Sequence, residues 1–407
     1  MISTTWPLLL GMGVLMLGAG LQGTLLGLRA TLEGIPAPVT WAIMSCYYIG
    51  YLLGTFGAPR LVRKVGHIRV FAALAAVASA TILVQGSFVN AALWALMRLA
   101  SGVCFAGIYV VAESWLNAGA SRSNRGTLLA MYMLVLYVGL GSAQYLLVLA
   151  DPSTATPFML VSILISLAMI PIVVSSHHSP ETHVPLKVRY RDLYKNSPLG
   201  VVAVTVSGMI TSTIFGMGPV YARLSGLDTL GVATFMAVSI LSGTLTQYPM
   251  GRLSDRMDRR TVIAIVCTIA TFSAGSIVVF PQMPHFLFLI MAGVFSAFVL
   301  TLYSLAVSHV NDKLEPGQMV AASSALLSLN GMAAAIGPIL AGSLMKAVGP
   351  HAYFETLAIL TGGLTIYDLW RKLRSSATPA SQKGPFITAQ PQGMTGQIVQ
   401  GAQLDKK

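Results

Sequence analysis

Charge is what this chain has least of. Only 9% of its 407 residues are Asp, Glu, Lys or Arg, against roughly 25% in an ordinary soluble domain, and mean hydropathy is +0.74. That leaves too little polar surface to cover a water-soluble globule of this length. Acidic residues are scarcer still, 13 against 25 basic ones, for a formal net charge of +12. The three cysteines, Cys46, Cys104 and Cys267, all fall inside apolar runs without metal-ligand spacing. They read as small core residues, with no disulfide framework and no thiolate metal site. No Walker A pattern occurs, so ATP does not drive the protein by that route. No nucleophile–base set or cluster of metal ligands is visible either, so neither an enzyme nor a metal or other cofactor is expected.

Long apolar runs are what the chain has in abundance. A bilayer-crossing helix needs about 20 mostly apolar residues. Twelve such runs occur, at 6–28, 39–61, 68–86, 91–116, 126–150 and 157–174, then 199–222, 231–253, 261–280, 285–310, 320–345 and 353–370. The first begins without a basic leader and is too long for a signal core, so it is expected to be a retained helix.

The basic residues sort onto one face. Loops and tail on that face hold 21 of the 25, the opposite face holds only Arg29, Arg223 and Lys346, and Arg98 lies inside a span. This alternation reads as membrane orientation rather than nucleic-acid binding. By the positive-inside rule the basic face is expected to be cytoplasmic, and both termini with it. Trp6, Trp41, Trp94, Trp115 and Trp370 all lie near span ends, where headgroup-level aromatics belong.

Two local repeats divide the chain. GRLSDRMDRR at 251–260 has a worn copy, PRLVRKVGHI at 59–68, at an offset of 192 residues. YVVAESWLN at 109–117 matches YSLAVSHVN at 303–311 in its Tyr, Ala, Ser and Asn, at an offset of 194. Nearly equal offsets close to half the chain predict two homologous helical bundles. The expected organisation is an N-terminal bundle over 1–174, a cytoplasmic linker over 175–198, a C-terminal bundle over 199–374 and a disordered tail over 375–407. The linker's His177, His178 and His183 read as solvated loop residues. The tail is rich in Gly, Gln, Ser, Thr and Pro with no apolar periodicity.

On these motifs the chain resembles the major facilitator superfamily from Trp6 to Trp370. The family's loop signature runs G-x-L-x-D-R-x-G-R-R. The second copy keeps Gly251, Leu253, Asp255, Arg256, Arg259 and Arg260, with Asp258 where glycine is usual; the first keeps Leu61 and Gly66. Arg98 followed by Gly102 is similar to the family's R-x-x-x-G pattern. Gly337-Pro338 with Ala341-Gly342 is similar to the bend of drug antiporters, although there it belongs to the fifth helix, not the eleventh. VGHIRV together with ESWLN is similar to the YcaD-like group of bacterial members. The resemblance implies an all-α membrane protein with twelve transmembrane helices in two pseudo-symmetric six-helix bundles. It also implies that the first, fourth, seventh and tenth helices line a central cavity.

Candidate site residues follow from depth and charge. Arg98 lies seven residues inside its span, roughly 10 Å deep at 1.5 Å per residue. A charge there is costly unless it faces the protein interior or water. It is read either as the binder of an anionic substrate or as a hydrogen-bond donor to the first helix, with Gln22 at similar depth as its expected partner. Glu113 is either a protonatable coupling carboxylate or one arm of a latch to Lys64, His67 or Arg69. Tyr137 and Asn330 belong to a loose mid-depth polar set with Tyr47, Tyr48, Gln144, Thr211, Ser212, Thr301 and Tyr303. The resemblance implies a cytoplasmic gate: Asp255 accepting from the start of the fifth helix at Arg125, flanked by Arg256, with Arg259 pairing to Asp312. The competing reading is ordinary inside-positive charge.

The expected function is secondary transport of a small solute, anionic metabolites first, across a bacterial inner membrane by alternating access. The proton is the expected driving ion, and the lipid bilayer is the only other partner expected of a monomer. The alternative from another class is a non-transporting membrane receptor or assembly factor on the same fold.

Overall fold

A computed structural model of the chain describes residues 2–118, 125–174, 190–314, 318–374, 384 and 386. The first half is built from α1 (Ile2–Leu32), α2 (Ala37–Val65), α3 (His67–Ser87), α4 (Ala91–Ala118), α5 (Arg125–Ser142) and α6 (Thr156–Val174). A 3-10 segment, Ala143–Val148, prolongs α5. A short helix, α7 (Tyr190–Asn196), lies within the expected linker, whose histidines fall outside the described residues. The second half holds α8 (Pro198–Leu224), α9 (Thr229–Arg256), α10 (Arg259–Val279), α11 (His285–Val299), α12 (Leu302–Asn311), α13 (Met319–Val348) and α14 (Ala352–Arg374).

Helix ends follow local chemistry. Asp228 caps α9 by accepting from the Gly231 amide at 2.8 Å, and Asp258 caps α10 by accepting from the Arg260 amide at 3.1 Å. Gly66 closes α2 at φ 92°, a conformation that disfavours any side chain, and α3 begins at the next residue.

Among the described residues eleven helical segments are long and apolar enough to cross a bilayer, one fewer than the twelve expected. α14 makes the difference: it has 23 residues, and its last two turns carry Asp368, Arg371, Lys372 and Arg374. α11 and α12 form one span, His285–Asn311, interrupted by a turn at Leu300 and Thr301. α9 supports this break. Leu300 packs on Gly243, the Thr246 hydroxyl donates to the Ala297 carbonyl, and Gln247 donates to Ser304 Oγ at 3.0 Å. These side-chain bonds serve polar groups that water would serve outside a membrane.

Within each half the helices pack as a bundle. α2 lies along α4, α1 lies against α5 and α6, and α3 packs on α4 and α6; α8 lies along α13, α9 against α11, and α10 against α14. Some helices cross close enough to exclude a β-carbon. One on Gly50 or Gly102 would strike the carbonyl of Leu99 or Tyr47 on the facing helix. Buried share sorts the spans: 67% for α1, α4, α8 and α13, but 44% for α3 and 39% for α6. α3 and α6 therefore present their apolar side chains outward, as Ile163 and Ile170 do, where lipid is the matching solvent.

Candidate functional site

The halves meet through α1 on α8, α2 on α13, and α5 with its 3-10 extension on α9. Away from the basic face this seam is closed. In α1 every residue over 20–30 except Gly23 is buried, and in α8 every residue over 210–222 except Phe215. A β-carbon on Gly342 would lie 2.5 Å from the Trp41 indole, and one on Gly27 would touch Pro219 at 3.4 Å. Toward the basic face the packing loosens. Over residues 55–65 of α2 only Ala58 and Val62 are buried, and over 241–256 of α9 only Gly243, Gly251 and Ser254. The seam is therefore closed on the low-charge side, while the ends of α2 and α9 toward the basic side are mostly exposed.

Under the seal lies a cavity of about 60 Å³ that includes Gln22, Tyr47, Tyr48, Arg98 and Gln144 in its wall. A neighbouring space of about 20 Å³ shares Tyr47 and Tyr48 and adds Asn330. Arg98 is buried, with its guanidinium over the Tyr47 ring at 4.5 Å from the centroid. This cation–π contact is worth on the order of 1–2 kcal/mol when desolvated. The expected hydrogen bond from Arg98 to Gln22 does not form. Arg98 Nε and Gln22 Nε2 are both buried without an acceptor, and the guanidinium lies on the Tyr47 ring instead. No carboxylate lines either cavity among the described residues. Gln144 is committed elsewhere: its amide nitrogen donates to Leu140 O at 2.8 Å, and its oxygen accepts from Thr24 at 2.5 Å.

The other candidates are spread out. Asn330 is buried and donates to Val204 O at 3.0 Å, which ties α13 to α8. Tyr137 and Glu113 are buried on α5 and α4 but line neither cavity. Of the cations expected near Glu113, His67 turns instead to Ser114 Oγ, 2.9 Å away, while Lys64 and Arg69 are exposed.

At the foot of the second half, Arg259 is buried and holds Asp312 at 2.7 Å and Ser254 Oγ at 2.8 Å. Asp255 lies 3.7 Å from Arg259, and Arg256 is exposed. The side chain of Arg125 lies outside the described residues. Asp255 is occupied from another direction: it accepts from the Phe386 amide at 2.7 Å. Gly384 donates to Asp312 at 3.1 Å and accepts from Arg259. So the tail, expected to be wholly disordered, places two residues on this loop. Its single aromatic residue was the only sequence signal for this. Next to it, partial burial pushes Asp258 up, but the bonds from the Arg260 side chain and amide outweigh that and hold its carboxyl below the usual range.

Two helical bundles, apolar on the outside, enclosing a small charged cavity at their seam, define a polytopic membrane transporter. The chain belongs to the major facilitator superfamily, whose family model matches residues 8–329 and again 235–399. It is 28% identical over 380 residues to an uncharacterized MFS-type transporter of Enterobacter sp. (strain 638), covering 92% of this chain and 97% of the relative. It is also 28% identical to the uncharacterized MFS-type transporter YcaD of Salmonella newport (strain SL254), covering 91% and 96%. Among solved structures it resembles the nucleoside transporter NupG with a TM-score of 0.75 at 13% identity, over 90% of this chain and 98% of that one. A bacterial homologue of the human lysosomal transporter Spinster, in an inward-facing and occupied conformation, gives a TM-score of 0.70 at 12% identity, over 92% and 97%. The family makes the chain a transporter and not an enzyme.

Proposed function

We propose that the protein is a secondary transporter of a small organic anion, working by alternating access between two six-helix halves, 1–174 and 199–374, with α14 as the twelfth span. The basic face is cytoplasmic, both termini lie there, and the membrane is the bacterial inner membrane. The closed low-charge side and the exposed ends of α2 and α9 on the basic side then fit an inward-facing state. One observation carries the substrate class: Arg98 Nε and Gln22 Nε2 are buried donors without acceptors in a cavity whose wall holds a cation and no carboxylate. Leaving buried donors unmade costs about 1–3 kcal/mol each. A carboxylate supplies the missing acceptor and the missing charge together. Phe105, Phe215 and Ile240 offer apolar wall to the rest of such a solute. Coupling to protons is assigned to Glu113, the buried acid on the same helix as Arg98.

Thermal shift of the purified protein is the test, with small monocarboxylates in one arm and uncharged nucleosides in the other. A ligand of the folded state raises stability by RT ln(1 + [L]/Kd). Carboxylates are expected to raise Tm in a manner lost in Arg98→Gln. Equal shifts by nucleosides in both proteins overturn the anion reading.

A further inference from the structure

The loop between α9 and α10 is already occupied, and its occupant is the chain's own tail. Phe386 N–H donates to Asp255 at 2.7 Å, Gly384 N–H donates to Asp312 at 3.1 Å, and the Gly384 carbonyl accepts from Arg259. The Phe386 ring is half-buried and rests on Gly251, where a β-carbon would sit 2.5 Å from it. Two residues of tail thus touch the foot of α9, the start of α10 and the end of α12. The tail is tethered at Arg374, ten residues before Gly384. Ten residues can span at most about 33–36 Å.

We propose that Gly384 and Phe386 form an intramolecular strap that holds the basic face open and must leave before that face can close. The inference rests on the alternating-access reading given above. α9 is the helix through which the second half meets α5, and in this state they meet at Leu241 against Gly141. Leu241 lies ten residues above Gly251, about 15 Å along the helix. Closing the basic face brings the foot of α9 toward the start of α5. The surface that must arrive there first, Gly251 with the exposed Asp255, is the surface that Phe386 covers. The strap also gives one Asp255 oxygen a backbone donor on the face that the opposite half must approach. Release uncovers Gly251 and frees that oxygen, so tail and closure compete for one surface.

The test uses the full chain with Cys46, Cys104 and Cys267 replaced by alanine and spin labels on Lys64→Cys and Leu373→Cys, both exposed positions at the feet of the two halves. Pulsed electron resonance in lipid nanodiscs reads the foot-to-foot distance. Phe386→Pro removes the N–H and the ring; Gly384→Pro independently removes the other N–H. Each is expected to raise the short-distance population at least threefold over the parent. Two populations left unchanged by both substitutions overturn the strap alone. A single invariant distance in all three proteins overturns the strap together with the alternating-access reading.

Discussion

His67 and Arg259 stand 192 residues apart and do the same work in their two halves. Each begins the third helix of its bundle, α3 or α10, and reaches to the foot of the fourth span: His67 to Ser114 at 2.9 Å, Arg259 to Asp312 at 2.7 Å. The first contact joins an imidazole to a hydroxyl, the second a guanidinium to a carboxylate. The second half is therefore pinned by a buried charge pair, the first by a polar contact that leaves less to lose.

This difference sets unequal costs. Asp312→Asn leaves Arg259 buried with its strongest partner gone, and breaking a buried pair on one side costs about 3–5 kcal/mol. The double replacement Arg259→Met with Asp312→Leu should recover most of that. Detergent-solubilised Tm reads both. A single variant as stable as the parent shows that Ser254 and the tail suffice to hold the charge.

Arg98→Lys should separate charge from shape. Lysine keeps the cation but loses the planar fork and the stacking on Tyr47. Affinity for a stabilising carboxylate should fall by about tenfold, near 1.4 kcal/mol, while apo Tm changes little. Unaltered affinity shows that only the point charge matters.

Asp258 caps α10 and binds Arg260, so Asp258→Ala should cost about 1 kcal/mol at neutral pH. The sign with pH follows from its lowered pKa. The contribution is fully present above the ordinary carboxylate value of 3.8 and is lost as pH falls through the lower folded value. Parent and variant should therefore converge in Tm on acidification below about 3.8, and curves that stay parallel there contradict the assignment.

Gly102→Val should be among the most damaging single changes, because the new side chain meets the backbone carbonyl of Tyr47. Loss of folded protein on size-exclusion chromatography is expected, whereas a leucine at the exposed Val77 should be neutral. Normal yield of the valine variant requires α2 and α4 to part without penalty.

The sequence made the spans and both loop copies legible because hydropathy and loop charge are local properties. It placed Arg98 inside a helix but could not show that Tyr47, rather than Gln22, meets it. Both stand at similar depth, and only the rotation of α2 against α4, fixed by Gly50 and Gly102, decides between them. The turn at Leu300 and Thr301 was illegible because the run around it is uniformly apolar; its cause lies on α9, in Gly243 and Thr246. The docked tail was hidden by composition: Gly384 and Phe386 act through backbone groups and one ring, which leave no periodic signal.

That turn has a mechanical consequence. It divides the tenth span into a 15-residue rod, α11, and a 10-residue stub, α12, whose lower end carries Asp312. A continuous helix would move its two ends as one lever. A jointed one can bend at Leu300 and Thr301, so the stub, packed on α8 and α10, need not follow every tilt of the rod that bears on α9, and the Gln247–Ser304 bond is the tie across that joint.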